Sequence, residues 1–518
     1  MAGSAATTQS ARLTGQGMNI FTSAFWKGQR GPPDAPIGFP PTVAPERRDA
    51  FVFLSPFVVG VGSRSVAQIV AFLQIMIAAR FIDLSGFGTY TLGWASCVIM
   101  VSFVYTGFYQ ALLRSADFDS ERDTGFWSMA AIGLGGSVVL VAVGLGLRGS
   151  DATMAAVFLA LAPLPVLRAL VAWNEVHLIR DRRVRLVSTY GMISECASLL
   201  VTWICLTRGL GLFSLVYGRY TVLAVELVVA LVASHSRPAF RFSGSVFGRL
   251  RLTALPLWGT SALGMFSNYG VDLILGAFLN TAAVGTYRSG ARISQTAADL
   301  VYQPISTMTW SRMSQFEKAG RHDALRTVWL EHMGFGAILV WPTLAAFAML
   351  AGDLVLFLFD ETWLPAAPVI VILCLSRTVG FLSVLLEPSM LCQGKGAAQM
   401  WVRAAAAVAL LLSLAAFGRF GAPHAATAHA VASVVSAVLS VAVIFPSLKI
   451  SARDALRALL PAMTLSALCV AGLILSSGAR AALGPTDGLL AAIAGLAVVW
   501  VLAVAWCLKR GFVTLPSP

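Results

Sequence analysis

The sequence predicts an all-α polytopic membrane protein. Of its 518 residues, 57% are hydrophobic and only 12% are charged, a balance that water-soluble proteins do not have. Apolar runs close to the thickness of a bilayer recur along the chain. The short alternating segments that build a membrane β-barrel are absent from the sequence. Together these observations predict about fourteen transmembrane helices.

The edges of the expected spans are set by the points where the apolar runs end. The spans cover approximately residues 52–79, 87–113, 126–147, 153–176, 186–206, 210–233, 253–279, 283–310, 333–358, 364–391, 399–418, 423–446, 458–478 and 487–508. The eighth is the least hydrophobic, so a plain hydropathy window could miss it. Loop charges support it, because its deletion would move the basic loop 311–332 to the opposite side of the membrane from the other basic loops.

Lysine and arginine are concentrated in alternate loops. The stretches 180–185, 237–251 and 312–326 hold four of these residues each, whereas the loops at Arg80 and Arg148 hold about one. Positively charged loops stay in the cytoplasm, so both termini are expected there. The net charge of +13 is therefore explained by topology, and no nucleic-acid partner is expected.

No metal site or other cofactor is expected. The seven cysteines lie in or at the ends of apolar runs, and neither they nor the six histidines have the spacing of a metal or redox site. Residues 1–48 are polar, rich in Gly, Pro, Ala and Thr, and lack the apolar core of a signal peptide. We expect them to form a disordered cytoplasmic tail.

An internal repeat predicts the domain organisation. FGTY at 87–90 begins the second expected span, and VGTY at 284–287 begins the eighth. Six spans separate these points, so the two halves share one orientation, as in a parallel repeat. We expect an N-terminal six-helix bundle over 49–250, a C-terminal six-helix bundle over 251–450, and two additional helices with a short cytoplasmic tail over 451–518.

The eighth expected span carries a polar stripe. Its members are Arg288, Arg292, Gln295 and Asp299. Their spacings of four, three and four residues place them on one helical face. A charge that faces lipid near the helix centre costs roughly 2.5–3.5 kcal/mol, so this face is expected to line a wet cavity or to meet partner groups.

Other expected spans also carry charged or polar residues. Arg64 lies near the middle of the first span, Asn268 and Asp272 stand four apart on the seventh, and Arg377 and Glu387 lie on the tenth. Arginine is informative here, because a guanidinium stays charged when partly desolvated and binds phosphate through two parallel hydrogen bonds. The arginines outnumber the acidic residues, which favours an anionic substrate.

These residues provide the candidate site. The expected substrate-binding residues are Arg64, Arg288, Arg292, Arg377, Asn268 and Gln295. The acidic residues that could couple transport to a proton or a sodium ion, by relieving charge, are Asp272, Asp299 and Glu387.

Several of the charges also have a structural alternative. Asp272 could form a buried ion pair with Arg288 or Arg292 that holds the seventh and eighth spans together. Glu195 and Glu226 could each pair with an arginine across the N-terminal bundle. The arginines that could snorkel to a membrane interface are Arg80, Arg168, Arg219 and Arg403.

A secondary transporter is the function that the sequence favours. Direct use of ATP is disfavoured, because QGKGAA at 393–398 lacks the upstream glycine and the hydroxyl of a phosphate-binding loop. A membrane-embedded glycan polymerase, ligase or glycosyltransferase usually needs a sizeable exterior loop or an acidic pair at a membrane face, and the sequence has neither. A channel suits two six-span bundles less well than alternating access does. The protein is therefore not expected to be an enzyme.

Three segments of the sequence carry a resemblance to a known family: ARFIDLSGFGTY at 79–90, NYGVDLILGAFLNTAAVGTYRSGARI at 268–293 and DETWLPAAPVIVILCLS at 360–376. They resemble the corresponding segments of the bacterial oligosaccharide and polysaccharide flippases of the multidrug/oligosaccharidyl-lipid/polysaccharide exporter superfamily. In the related lipid II flippases, arginines in the first and eighth spans line the central cavity. By position, Arg64 and Arg292 are the residues that match them.

The resemblance implies a function and partners. It implies alternating-access flipping of a polyprenyl-diphosphate-linked oligosaccharide across the bacterial inner membrane, for exopolysaccharide or lipopolysaccharide O-antigen biosynthesis. The implied partners are this lipid-linked substrate and the membrane lipids, with a polysaccharide polymerase and export proteins as further candidates. A multidrug or organic-anion exporter of the same fold is the alternative.

Overall fold

The computed structural model describes the chain from Arg47 to Lys509. Within that range, side chains are described from residue 62 onward, apart from those at 64, 260, 263, 266, 267 and 508. Nearly all of the expected tail at 1–48 lies outside the described residues. The described residues from Ser55 onward belong to one compact unit. The division into two bundles at residue 250 remains a prediction.

The described secondary structure is helical throughout. In chain order the α-helices are α1 Arg47–Ala78, α2 Leu84–Tyr105, α3 Phe108–Arg114, α4 Phe118–Leu147, α5 Ala152–Leu161, α6 Leu164–Arg180, α7 Val184–Thr207, α8 Phe213–Ser234, α9 Gly244–Phe278, α10 Thr281–Lys318, α11 His322–Met349, α12 Ala351–Leu358, α13 Ala367–Gly380, α14 Leu386–Cys392, α15 Gly396–Phe417, α16 Ala422–Leu448, α17 Ala452–Leu475, α18 Ser477–Leu483 and α19 Pro485–Lys509. Short 3₁₀ helices lie at Glu361–Ala366, Phe381–Ser383 and Gly418–Phe420.

The helices confirm the prediction of an all-α polytopic membrane protein. Each of the fourteen expected spans coincides with helix in the described part of the chain. By length and composition, 11 helical stretches among the described residues could cross a membrane, and the first, seventh and eighth expected spans are not among them. The eighth span is α10, whose polar stripe lowers its hydropathy, as the sequence predicted.

The second expected span is broken at a glycine. Gly107 separates α2 from α3 and has a left-handed φ of 60°. A Cβ at this position would lie 2.4 Å from the indole of Trp258, so the packing also demands glycine. The Trp258 indole N–H donates a hydrogen bond to the carbonyl oxygen of Phe103, 2.9 Å away, at the end of α2. This contact joins α2 to α9, two helices that line the cavity described below.

The two helices that begin with the repeated motif start in the same way. Asp83 caps α2 by accepting a hydrogen bond from the Gly86 amide, and Asn280 caps α10 by accepting one from the Ala283 amide. The offset between the two caps is 197 residues, the same as between FGTY and VGTY. A side-chain oxygen at each cap satisfies an amide that the first turn of a helix leaves unpaired.

Helices α2 and α10 cross closely at the repeated glycines. A Cβ at Gly88 would lie 1.7 Å from the carbonyl oxygen of Thr281, and a Cβ at Gly285 would lie 2.3 Å from that of Leu84. Beside the crossing, the hydroxyls of Ser85 and Thr281 are 2.7 Å apart and share a hydrogen bond. Only glycine allows two backbones to approach this closely. The N-terminal ends of α2 and α10 are therefore held together.

Candidate functional site

A cavity of about 380 Å³ lies among helices α1, α2, α7, α8, α9 and α10. Its polar and aromatic lining comprises Gln68, Gln74, Tyr90, Thr91, Trp94, Glu195, Arg219, Tyr269, Asp272, Arg288 and Arg292. Three arginines face two carboxylates, so the described lining carries one net positive charge when all five groups are ionised. We call this space the central cavity.

Arg288 is neutralised by a neighbour on α9. Its guanidinium lies 3.2 Å from a carboxylate oxygen of Asp272, whose side chain is fully buried. The same guanidinium lies over the ring of Tyr269, 4.7 Å from the centroid, one turn away on α9. The ion pair suggested by the sequence is therefore confirmed for Arg288, and it joins the seventh and eighth spans.

Arg219 contributes a second paired charge to the central cavity. It lies 3.4 Å from Glu195 on α7, donates a hydrogen bond to the Tyr90 hydroxyl at 3.2 Å, and covers the ring of Trp94. The sequence suggested a membrane interface for Arg219, and this was wrong, because a carboxylate on the adjacent helix pairs with it inside the bundle. The opposite charges on consecutive spans were the signal that could have placed both residues in the site.

The sequence also suggested a membrane interface for Arg168, but this residue too has a carboxylate partner inside the bundle. It pairs with Glu226, which also accepts a hydrogen bond from Ser194 at 3.3 Å. Both partners are mostly buried. The predicted pairing of Glu195 and Glu226 with arginines is thus confirmed, whereas Arg80 and Arg403 are exposed, as residues near an interface would be.

Among the described residues that line the central cavity, Arg292 is the cation without an ion-pair partner. It lies one turn after Arg288 on α10, and its Nε is buried without a hydrogen-bond partner. No residue that the structure describes forms an ion pair with it. A buried charge normally has a partner, because desolvation without compensation is costly. Arg292 is therefore the described residue best placed to bind an anion from outside the chain.

The remaining predicted substrate-binding residues are spread more widely. The Arg64 side chain lies outside the described residues, although its backbone belongs to α1, one turn before the cavity residue Gln68. Asn268 is exposed on α9, and neither it nor Gln295 lines the central cavity. Arg377 lies apart from that cavity and donates a hydrogen bond to the Ser294 hydroxyl at 3.4 Å.

The three acidic residues proposed for ion coupling lie in different places. Asp272 is the buried partner of Arg288, whereas Asp299 lines a small second cavity with Ser65 and Gln68. Glu387 pairs with Arg403, and both side chains are partly exposed. These carboxylates therefore do not form a single ion site.

The sequence comparison identifies the family. Residues 77–368, more than half of the chain, match the model of a family described as "Polysaccharide biosynthesis protein". The chain belongs to the polysaccharide biosynthesis protein family. A comparison with curated proteins found no match.

Solved structures place this polysaccharide biosynthesis protein in a known fold. The lipid II flippase MurJ, in an inward closed conformation, is similar with a TM-score of 0.70 and 11% identity, over 88% of this chain and 99% of that chain. An inward-facing multidrug resistance MATE family transporter of the MOP superfamily is similar with a TM-score of 0.59 and 14% identity, over 74% and 96%. A MOP superfamily transporter from Pyrococcus furiosus has a TM-score of 0.53 and 14% identity, over 76% and 96%. These likenesses show the fold.

The Asp272–Arg288 pair should stabilise this polysaccharide biosynthesis protein. Asp272→Ala leaves a mostly buried guanidinium without its carboxylate, and breaking such a pair costs about 3–5 kcal/mol. We expect a clearly lower thermal unfolding temperature for the purified variant in detergent. Asp119→Ala is the matched control, because Asp119 is 89% exposed in its pair with Arg122. Equal unfolding temperatures for the two variants would contradict a stabilising role for the buried pair.

Proposed function

We propose that this protein is a secondary transporter that flips a polyprenyl-diphosphate-linked oligosaccharide across the bacterial inner membrane for exopolysaccharide or lipopolysaccharide O-antigen biosynthesis. The observation that carries the proposal is Arg292, a guanidinium that has no ion-pair partner among the described residues and lines a cavity inside a membrane protein. A guanidinium fork matches the oxygens of a phosphate better than any other side chain does. The family description and the fold shared with a lipid II flippase support the same substrate class.

The proposed cycle is alternating access. With both termini in the cytoplasm, the Gly88–Gly285 crossing lies on the outer side of the membrane and closes the central cavity there. The diphosphate binds at Arg292, and the polyprenyl tail stays in the bilayer, where its apolar surface is favoured. Separation of α2 and α10 at the crossing then opens the cavity to the outside and releases the headgroup. A polysaccharide polymerase and export proteins would use the product.

Ion coupling is part of the proposal. Asp272 is the acidic candidate inside the central cavity, where binding of a proton or a sodium ion would weaken its hold on Arg288. Asp299 and Glu387 lie in neighbouring cavities and are the other two candidates. Release of Arg288 would give the diphosphate a second guanidinium.

An exporter of organic anions is the second candidate function. The net positive lining of the central cavity favours an anion of any kind, and the fold is shared with a multidrug resistance transporter. A cationic drug fits the same lining poorly, because the two described carboxylates of the cavity already pair with Arg219 and Arg288 and would leave Arg292 to repel it. A membrane-embedded glycan polymerase or ligase is supported by no comparable feature of the described residues.

A reconstituted assay tests the proposed function. The full chain is placed in vesicles that contain a fluorescently labelled polyprenyl-diphosphate-linked oligosaccharide, and an impermeant quencher reports the fraction in the outer leaflet. We expect the protein to accelerate exchange between the leaflets, because Arg292 offers the diphosphate a site within the membrane. A labelled polyprenyl lipid without phosphate and a cationic dye are the controls, and neither should move faster than in protein-free vesicles. Transport of the cationic dye, or no acceleration for the diphosphate lipid, would contradict the proposal.

A further inference from the structure

Three cavities follow one another along α10. Gln68 lines both the central cavity and the second cavity, which has a volume of about 90 Å³. Gln303 and Thr307 line both the second cavity and a third cavity of about 810 Å³. Because they share side chains, the three cavities are neighbours, and we call the series from the central to the third cavity the route. On α10 the route runs from Arg288 to Ser311.

The third cavity has a wall of mixed polar and apolar residues that includes two aromatic rings, those of Tyr302 and Trp310. Its lining includes Tyr302, Gln303, Ser306, Thr307, Trp310, Ser311, Ser383, Glu387, Arg403 and Ser436. The Trp310 side chain is 40% exposed, so much of its ring faces open space. Glu387 and Arg403 form a direct ion pair in the lining, so their charges cancel. The third cavity therefore offers hydroxyl, amide and aromatic groups without a net charge.

Several polar groups in the third cavity are free to bind a ligand. Within the described residues, no hydrogen bond is formed by the Gln303 amide group, the Ser306 hydroxyl or the Trp310 indole N–H. By contrast, Ser436 donates a hydrogen bond to Ser383 at 3.0 Å, and the Tyr302 hydroxyl donates one to the backbone carbonyl of Arg377. The free groups are all on α10, on the face that continues the stripe from Arg292.

This combination of groups fits a sugar. A pyranose presents hydroxyls around its edge, which exchange hydrogen bonds with amide, hydroxyl and indole groups, and C–H bonds on one face, which pack against an aromatic ring. A sugar chain is uncharged in its simplest form, which matches the neutral lining. Asp299, which lies on the route in the second cavity, can accept hydrogen bonds from further hydroxyls.

We infer that the third cavity holds the oligosaccharide of the substrate while Arg292 holds its diphosphate, an inference that rests on the proposed function. Arg292 and Trp310 are eighteen positions apart on α10, which corresponds to about 27 Å along a helix. This separation requires a chain of several sugars, so a lipid with a single sugar would not reach Trp310. The substrate therefore lies along α10, with its diphosphate at one end of the route and its distal sugars at the other.

A membrane-interface role is the main alternative for Trp310. Tryptophan is enriched at the interfaces of membrane proteins. Trp401, near the start of α15, fits that role, since its side chain is 70% exposed and it lines none of the three cavities. Trp310 differs, because it lines the third cavity together with hydroxyl and amide side chains. The two tryptophans are therefore a matched pair for an experiment.

The experiment measures binding of three probes to the full chain in lipid nanodiscs. The probes are a polyprenyl diphosphate, the same lipid carrying the oligosaccharide that accumulates in source cells without this transporter, and that oligosaccharide released from the lipid. We expect Trp310→Ala and Gln303→Ala each to lower the affinity for the glycan-bearing lipid about tenfold, because each variant loses one stacking or hydrogen-bonding contact. The bare diphosphate lipid should bind these variants as it binds the wild type. Trp310→Phe should retain most of the affinity, and Trp401→Ala should change nothing.

The experiment distinguishes failure of the sugar site at Trp310 from failure of the diphosphate site at Arg292. The inference is overturned if Trp310→Ala lowers the affinity for both lipids equally or for neither. It is also overturned if the wild type binds the glycan-bearing lipid no better than the bare lipid. Arg292→Ala should lower the affinity for both lipids, as the proposed function requires. If Arg292→Ala has no effect while Trp310→Ala still weakens the released oligosaccharide, the diphosphate assignment fails and the sugar site stands.

Discussion

Arg292→Ala is expected to reduce flipping of a polyprenyl-diphosphate-linked oligosaccharide at least about 100-fold. The variant removes the unpaired guanidinium of the central cavity, and each hydrogen bond to a charged group is worth about 1.5–3 kcal/mol. Two such bonds to a diphosphate account for the expected loss. Arg292→Lys should recover only part of the activity, because an ammonium keeps the charge but lacks the planar fork.

The measurement combines the vesicle assay with the native cell. In source cells, Arg292→Ala should remove surface polysaccharide and leave lipid-linked units on the cytoplasmic side, with a normal amount of protein in the membrane. Arg148→Ala is the control, because Arg148 is an exposed arginine outside the cavities and should behave as the wild type. Normal flipping by Arg292→Ala would show that the diphosphate does not bind at this residue. Arg288→Ala is a poorer test, since it also leaves the buried Asp272 unpaired.

Gly88→Ala is expected to prevent closure of the crossing between α2 and α10. The added Cβ would lie 1.7 Å from the Thr281 carbonyl oxygen, a backbone atom that cannot rotate away. Overpacking of this kind costs about 1–3 kcal/mol, which shifts a two-state equilibrium roughly fivefold to 150-fold. We expect a protein whose resting state is open to the outside and which transports at least about fivefold more slowly. Gly285→Ala should act in the same way, because its Cβ would meet the Leu84 carbonyl.

Labelling of a cysteine introduced into the central cavity measures how much of the protein is open to the outside. Thr91→Cys places a thiol in the central cavity, and Cys196→Ser removes an exposed natural thiol. An impermeant maleimide added outside should label the cavity thiol in the Gly88→Ala background and not in the parent. Gly191→Ala is the matched control, because no atom lies within 4 Å of the Cβ it would add. If Gly88→Ala and Gly191→Ala give the same labelling and transport, the glycine crossing does not close the cavity.

The fold was largely predictable because membrane helices are encoded by long apolar runs. Loop charges predicted α10 as a span even though its polar stripe lowers its hydropathy. The ion pair between Asp272 and Arg288 was also accessible, since two opposite charges on adjacent spans have few other partners. The helix caps at Asp83 and Asn280 follow from the same alignment that revealed the repeat.

The cavity was less predictable because the neighbours of each helix face are decided by packing. On α10, the residues that line the three cavities include Arg292, Thr296, Asp299 and Gln303, which stand four, three and four positions apart. The sequence placed Gln295 on this stripe, one position from Thr296. Arg219 illustrates the other difficulty, since nothing in its own span distinguishes the cavity wall from a membrane interface. Its partner Glu195 lies on a different helix.

In the proposed cycle, the charge of Arg292 gives the empty and loaded transporter opposite electrical signs. The described lining of the empty central cavity carries one net positive charge, from three ionised arginines and two ionised carboxylates. The proposed diphosphate adds about two negative charges, one for each phosphate, and leaves the described lining with one net negative charge as long as Asp272 stays ionised. A membrane potential that is negative inside exerts about 2.3 kcal/mol per charge per 100 mV. In a cycle without a cation bound at Asp272, it would drive the loaded cavity outward and return the empty one inward, so the voltage across the membrane would favour export in both halves of the proposed cycle.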